Sequence, residues 1–132
     1  MTLRLFLGLV LAGLALPALA TAAEQVSFAR QIAQILQTNC APCHLTGDEP
    51  GGMRLYPSAA YGSIVGVKAQ GNPALVRVAP GDPEASYLLH KVRGTHLDFG
   101  GVGVQMPFGQ TPISKQDQDL IRQWIAQGAK NN

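Results

Sequence analysis

Cysteine is almost missing from this chain of 132 residues: there are two, beside one tryptophan, three histidines and three methionines. Charge is sparse as well. Acidic and basic side chains make up 14% of the residues, ten basic against eight acidic. No lysine cluster marks a docking patch, and nothing in so even a balance points to nucleic acid. Internal repeats and low-complexity tracts are lacking. Aspartate and glutamate are scattered, and no serine–histidine–acid grouping is evident, so the sequence offers no constellation for acid, base or nucleophilic chemistry. No segment alternates apolar and polar residues convincingly enough to read as a strand.

What is present begins with an address. Arg4 is the only charge before Glu24, and Leu5 to Leu16 is an unbroken run of apolar residues and glycine. Pro17 breaks it, and Ala18-Leu19-Ala20 follows as a small-x-small cleavage site, with Ala20-Thr21-Ala22 and Thr21-Ala22-Ala23 as neighbouring alternatives. The run falls short of the roughly 20 residues that span a bilayer. Residues 1–23 therefore read as a secretory signal peptide and 24–132 as one domain. No stable membrane insertion is expected after cleavage, and the mature chain is expected in the periplasm or otherwise exported. The next cysteine after the signal is Cys40, so no lipoprotein anchor is expected.

Both cysteines fall in Cys40-Ala41-Pro42-Cys43-His44. Cys-x-x-Cys-His is the attachment pattern of a c-type haem. Two thiols three positions apart on a short helical turn reach the two vinyl groups at one edge of the ring. The next residue, a histidine, then points at the iron from the same side. Cys40 and Cys43 are thus candidate thioether anchors, and His44 is the candidate proximal ligand. Other uses of the motif ask for more. A Cys40–Cys43 disulfide closes too small a loop to stabilise much. A thioredoxin-like pair needs a βαβ setting. A zinc site needs four ligands, and only His90 and His96 remain to complete one.

The rest of the chain reads as helices and loops. Phe28, Ile32, Ile35 and Leu36 share one face of a helix over 26–38 that delivers the chain into Cys40. Turn residues fill 46–52, and a short helix is expected over 58–67. Asp82-Pro83-Glu84 reads as the start of a helix running to Arg93 and stopping at Gly94. Residues 94–109, rich in glycine, read as a wrapping loop. Ser114 with Asp117 forms a capping-box pattern, and Leu120, Ile121, Trp124 and Ile125 continue it as an apolar stripe ending at Gly128. The expected fold class is all-α, about four helices wrapped around one covalently attached haem.

The opposite face of the iron separates carrier from catalyst. An occupied sixth position suits electron transfer, and a methionine thioether there raises the reduction potential. Met106 stands far downstream of His44, behind the glycine-rich stretch. Pro107 holds it extended, which suits a residue laid across a haem face. Met53 follows His44 too closely to reach the other face and reads as core filler. His90 and His96 are rival ligands. His90 reads as an exposed surface residue, and His96 as a loop residue that caps a turn, pairs with Asp98 or reaches the iron.

With these features in order, the chain resembles the class I monohaem c-type cytochromes. The likeness rests on Cys40-Ala41-Pro42-Cys43-His44 after an amphipathic helix, Met106-Pro107 on a distal loop, and a C-terminal helix carrying Trp124. The stretch from Val78 to Leu88 is similar to one in bacterial cytochrome c-like domains. The resemblance implies a small helical bundle in which the terminal helices cross, with Phe28 and Trp124 meeting there. It implies haem c as cofactor, His44 and Met106 as axial ligands, and Tyr61, Arg77 and Tyr87 as candidates for binding the haem propionates. The expected role is a one-electron carrier between larger redox proteins and not an enzyme. The alternative is a haem-based sensor or peroxidase-like enzyme with an open or displaceable sixth site.

Overall fold

The computed structural model describes residues 24–132; the expected signal peptide, residues 1–23, lies outside the described residues. The first element is set by a reciprocal cap. Ser27 Oγ accepts from the Arg30 amide at 3.3 Å, while Gln31 Oε1 accepts from the Ser27 amide at 2.8 Å. One wide π-helical turn, Phe28–Ile32, opens the helix and runs directly into α1, Ala33–Asn39. Phe28, Ile32, Ile35 and Leu36 are all buried, as their spacing predicts.

After a loop, α2 spans Pro57–Ile64, with Pro57 in its first turn, where a missing N–H leaves no bond unmade. The chain then departs from expectation. Lys68–Ala69 (β1) and Asn72–Val76 (β2) pair as an antiparallel hairpin. Isolated bridges extend this extended region, Val65 with Val78 and Val76 with Ser86. The all-α expectation is therefore corrected: the described chain is a small mixed fold, helices plus a two-stranded antiparallel sheet. Period-2 alternation could not show in so short a ladder, because β1 holds two residues and a bulge interrupts the register beside it.

The second half packs around this hairpin. Asp82 does cap a turn, since its carboxylate accepts from the Glu84 and Ala85 amides, but that turn is not the helix. The Ser86 hydroxyl, fully buried, ties the Ala79 amide to the Asp82 carbonyl. Only then does α3 run, over Tyr87–Arg93, ending at Gly94 with φ of 78°. A short 3₁₀ turn, His96–Phe99, precedes the glycine-rich loop. The last helix, α4, spans Lys115–Ala126, and Ser114 Oγ accepts from the Asp117 amide at 3.0 Å. Ile121, Trp124 and Ile125 are buried on it.

The packing joins the ends of the described chain. The rings of Phe28 and Trp124 lie 5.4 Å apart, and Tyr61 meets Phe28 edge-on at 5.2 Å. Asn132 receives the Ala29 amide and Ser27 hydroxyl on its carbonyl and the Phe28 amide on its side chain. Gln127 reaches back in the same way, accepting from the Val26 amide and donating to the Glu24 carbonyl.

Candidate functional site

The motif is carried by the C-terminal run-out of α1. The Cys40 and Ala41 amides both donate to the Leu36 carbonyl, and the His44 amide donates to the Cys40 carbonyl at 3.0 Å. A single tight turn thus presents Cys40, Cys43 and His44 together. The two thiols are free, Cys40 half-buried and Cys43 exposed. Burial, with the Cys43 thiol beside it, pushes the Cys40 pKa up to about 11. Among the described residues, no three His, Cys, Asp or Glu side chains gather closely enough to hold a metal ion.

His44 has a buried Nδ1 without a hydrogen-bond partner. Burial lowers its pKa; Glu49 opposes the shift and Arg77 adds to it. The neutral ring keeps a lone pair free for a ligand. Two devices hold the loop after it. The Leu55 amide donates to the His44 carbonyl at 2.8 Å. Arg77, buried to 7% exposure, donates to the carbonyls of Gly51, Gly52 and Ser63. Gly51 lies against the site: an added Cβ would stand 3.2 Å from the Met53 methyl and 3.7 Å from His44 Cε1. Met53 therefore lies on the His44 side.

The Met106 loop is strapped to α3. The Met106 amide donates to the Lys91 carbonyl at 3.0 Å. Lys91 Nζ donates to the carbonyls of Val102 and Val104. His96 Nε2 donates to the Gly103 carbonyl, Gln105 Nε2 to the Val92 carbonyl, and the Val102 amide to Tyr87 Oη. Between loop and motif is a cavity of about 460 Å³ whose lining includes Cys40, Cys43, His44, Met53 and Met106. That volume falls within the roughly 300–1,000 Å³ of small-molecule and cofactor sites. The walls are overwhelmingly apolar, Leu55, Leu88 and Val92 among them, and the hairpin tip at Gly71 supplies one edge. Arg77 and Lys91 also line it, and no aspartate or glutamate does.

No family model, curated protein or solved structure matches this chain. The residues alone carry the reading of the site.

Of the sequence-selected residues, Cys40, Cys43, His44 and Met106 share this one cavity. The rival histidines do not line it. His90 is 2% exposed, against the expectation of a surface residue. Its ring nitrogens engage the Thr95 hydroxyl and the Glu84 carbonyl, and it stacks on Phe99 at 3.8 Å. His96 is equally buried and caps the loop at Gly103 rather than pairing with Asp98. Among the three propionate candidates, Tyr61 is turned away, its hydroxyl on the Ala129 carbonyl, while Arg77 and Tyr87 line the cavity. Sequence reasoning missed Lys91. Its position on the inner face of α3, one turn beyond the buried Tyr87 and Leu88, was the available signal.

Proposed function

We propose that this chain is an exported carrier of one electron that holds a single haem c. Cys40 and Cys43 would anchor the group as thioethers. His44 and Met106 would ligate its iron. The observation that carries the reading is the convergence of these four residues on one apolar cavity, although Met106 is remote from the motif in sequence. The fit has three further supports. His44 lines the cavity, and burial favours the neutral ring that a ligand needs. The apolar walls match a large flat hydrophobic group. Arg77 enters those walls and no carboxylate lines them, which suits a ligand that brings its own acidic groups.

When bound, the haem supplies reversible one-electron exchange at its iron. The chain's own residues do the rest. Leu55, Leu88 and Val92 exclude water, and Arg77 and the α3 straps fix the two loops that bear the ligands. The apolar signal-like leader supports export, and larger redox proteins are the partners such a carrier serves.

The test is direct. Purified protein is expected to be red, with colour that survives acid–acetone extraction; colourless protein overturns the reading. Ferric protein is expected to show the near-infrared iron–thioether band, and Met106→Ala is expected to lose it and to lower the reduction potential. A band retained in Met106→Ala refutes the axial assignment. Rapid carbon monoxide binding by the reduced wild-type protein would move the reading to a haem sensor or peroxidase-like enzyme.

A further inference from the structure

We infer that Lys91 is the positioning residue for the sixth ligand, a clasp that sets the Met106 segment against the cavity. The inference rests on the reading of Met106 as an axial donor. Lys91 projects from α3 along the cavity wall, and its ammonium donates to the carbonyls of Val102 and Val104, on either side of Gly103. The backbone carbonyl of the same residue accepts from the Met106 amide at 3.0 Å. One residue therefore grips the ascending limb of the loop through its side chain and the ligand residue through its main chain.

The loop is shaped for this grip. Gly103 has φ of 77°, and a Cβ there would lie 3.7 Å from Lys91 Nζ, so the crest folds over the ammonium. That backbone conformation turns the carbonyls of its neighbours inward and strongly favours glycine. Among the described residues Lys91 has no carboxylate partner, since the ion pairs are Arg93 with Asp119 and Lys115 with Asp119. Its charge is directed wholly at carbonyl dipoles of the loop, where charge-assisted hydrogen bonds are stronger than neutral ones. The remaining straps from His96, Gln105 and Tyr87 each reach one point and leave Met106 itself untouched. Val102 and Val104 are more than half or about half exposed, at 63% and 50%, so their own side chains do little to anchor the loop.

A lysine that merely stabilised the fold would shift the melting temperature and leave the iron's ligand untouched. A positioning lysine controls how often Met106 leaves the metal. The deciding measurement is made on holoprotein with Lys91→Leu, which introduces no new donor. Carbon monoxide is expected to bind the reduced variant about ten- to a hundredfold faster than wild type, with the ferric near-infrared band weakened and covalent haem retained. Hydrogen exchange at the Met106 amide is expected to quicken in step. Lys91→Arg, which keeps the charge and at least two donors, is expected to restore the wild-type band and rate. Should Lys91→Leu fail to accumulate, Lys91→Gln carries the same expectation with a smaller change. An unchanged band and carbon monoxide rate in either variant overturns the clasp. Absence of the band from the wild-type protein is scored first and overturns the Met106 reading beneath it, so the two failures are distinguishable.

Discussion

Glu49 shows how single side chains shape the loop that follows His44. Its carboxylate accepts from the Thr46 and Gly47 amides and from the Thr46 hydroxyl. These bonds, the Thr46 amide foremost, hold its pKa down at about 2. The folded value lies below the ordinary one, so the loop's support is complete above the ordinary carboxylate range and is lost as pH falls through about 2. A side-chain NMR titration is expected to place the Glu49 midpoint there, and a midpoint near the ordinary 4.5 would contradict the loop geometry. Arg77 works on the other limb by a different means. Three carbonyls on one buried guanidinium fix Gly51 and Gly52 and leave His44 little freedom. The sequence marked Arg77 only through a resemblance and gave Glu49 no role, because both act through backbone groups that carry no residue identity.

At the scale of elements, legibility followed length and local chemistry. Helix α4 was readable because Ser114, Asp117 and the Leu120–Ile125 stripe all lie within a few turns and agree with one another. The first helix was readable for the same reason, although its wide opening turn was not. The hairpin was invisible. Its ladder is short, its register is broken by a bulge, and its turn at Gln70-Gly71 carries no strong signal. Its position is enforced from outside: a Cβ on Gly71 would meet Tyr87 Oη at 2.6 Å. Gly71→Ala is therefore expected to cost about 1–3 kcal/mol, read as a lowered urea midpoint, and to be partly relieved by Tyr87→Phe, which removes the colliding oxygen and leaves the ring carbons at 3.1 Å. No relief in the double variant would mean that the hairpin tip does not rest on Tyr87. The start of α3 was misjudged for a related reason. Asp82 had the right chemistry for a cap, and a buried serine diverted the chain before the helix began.

Across the whole molecule, two clusters divide the work. Phe28, Tyr61 and Trp124 knit the terminal helices into a frame. The cavity opens elsewhere, between the motif turn and the strapped loop, with Val102, Val104 and Phe108 exposed along its lining. The candidate site was legible from sequence at its four chemical positions and illegible at its supports, since Cys40, Cys43, His44 and Met106 have distinctive chemistry while Lys91, Leu55 and Gly71 matter by placement alone. The bonds from Asn132 and Gln127 to the segment that begins at Glu24 add one last consequence. They close the described chain nearly into a ring, which predicts that the cavity tolerates a change of linear order. A circular permutant that links Asn132 to Glu24 and opens at the exposed Gln110-Thr111 is expected to fold with a wild-type far-ultraviolet dichroism spectrum. An unfolded permutant would show that the bonded ends need their original connectivity, and that the ring is only apparent.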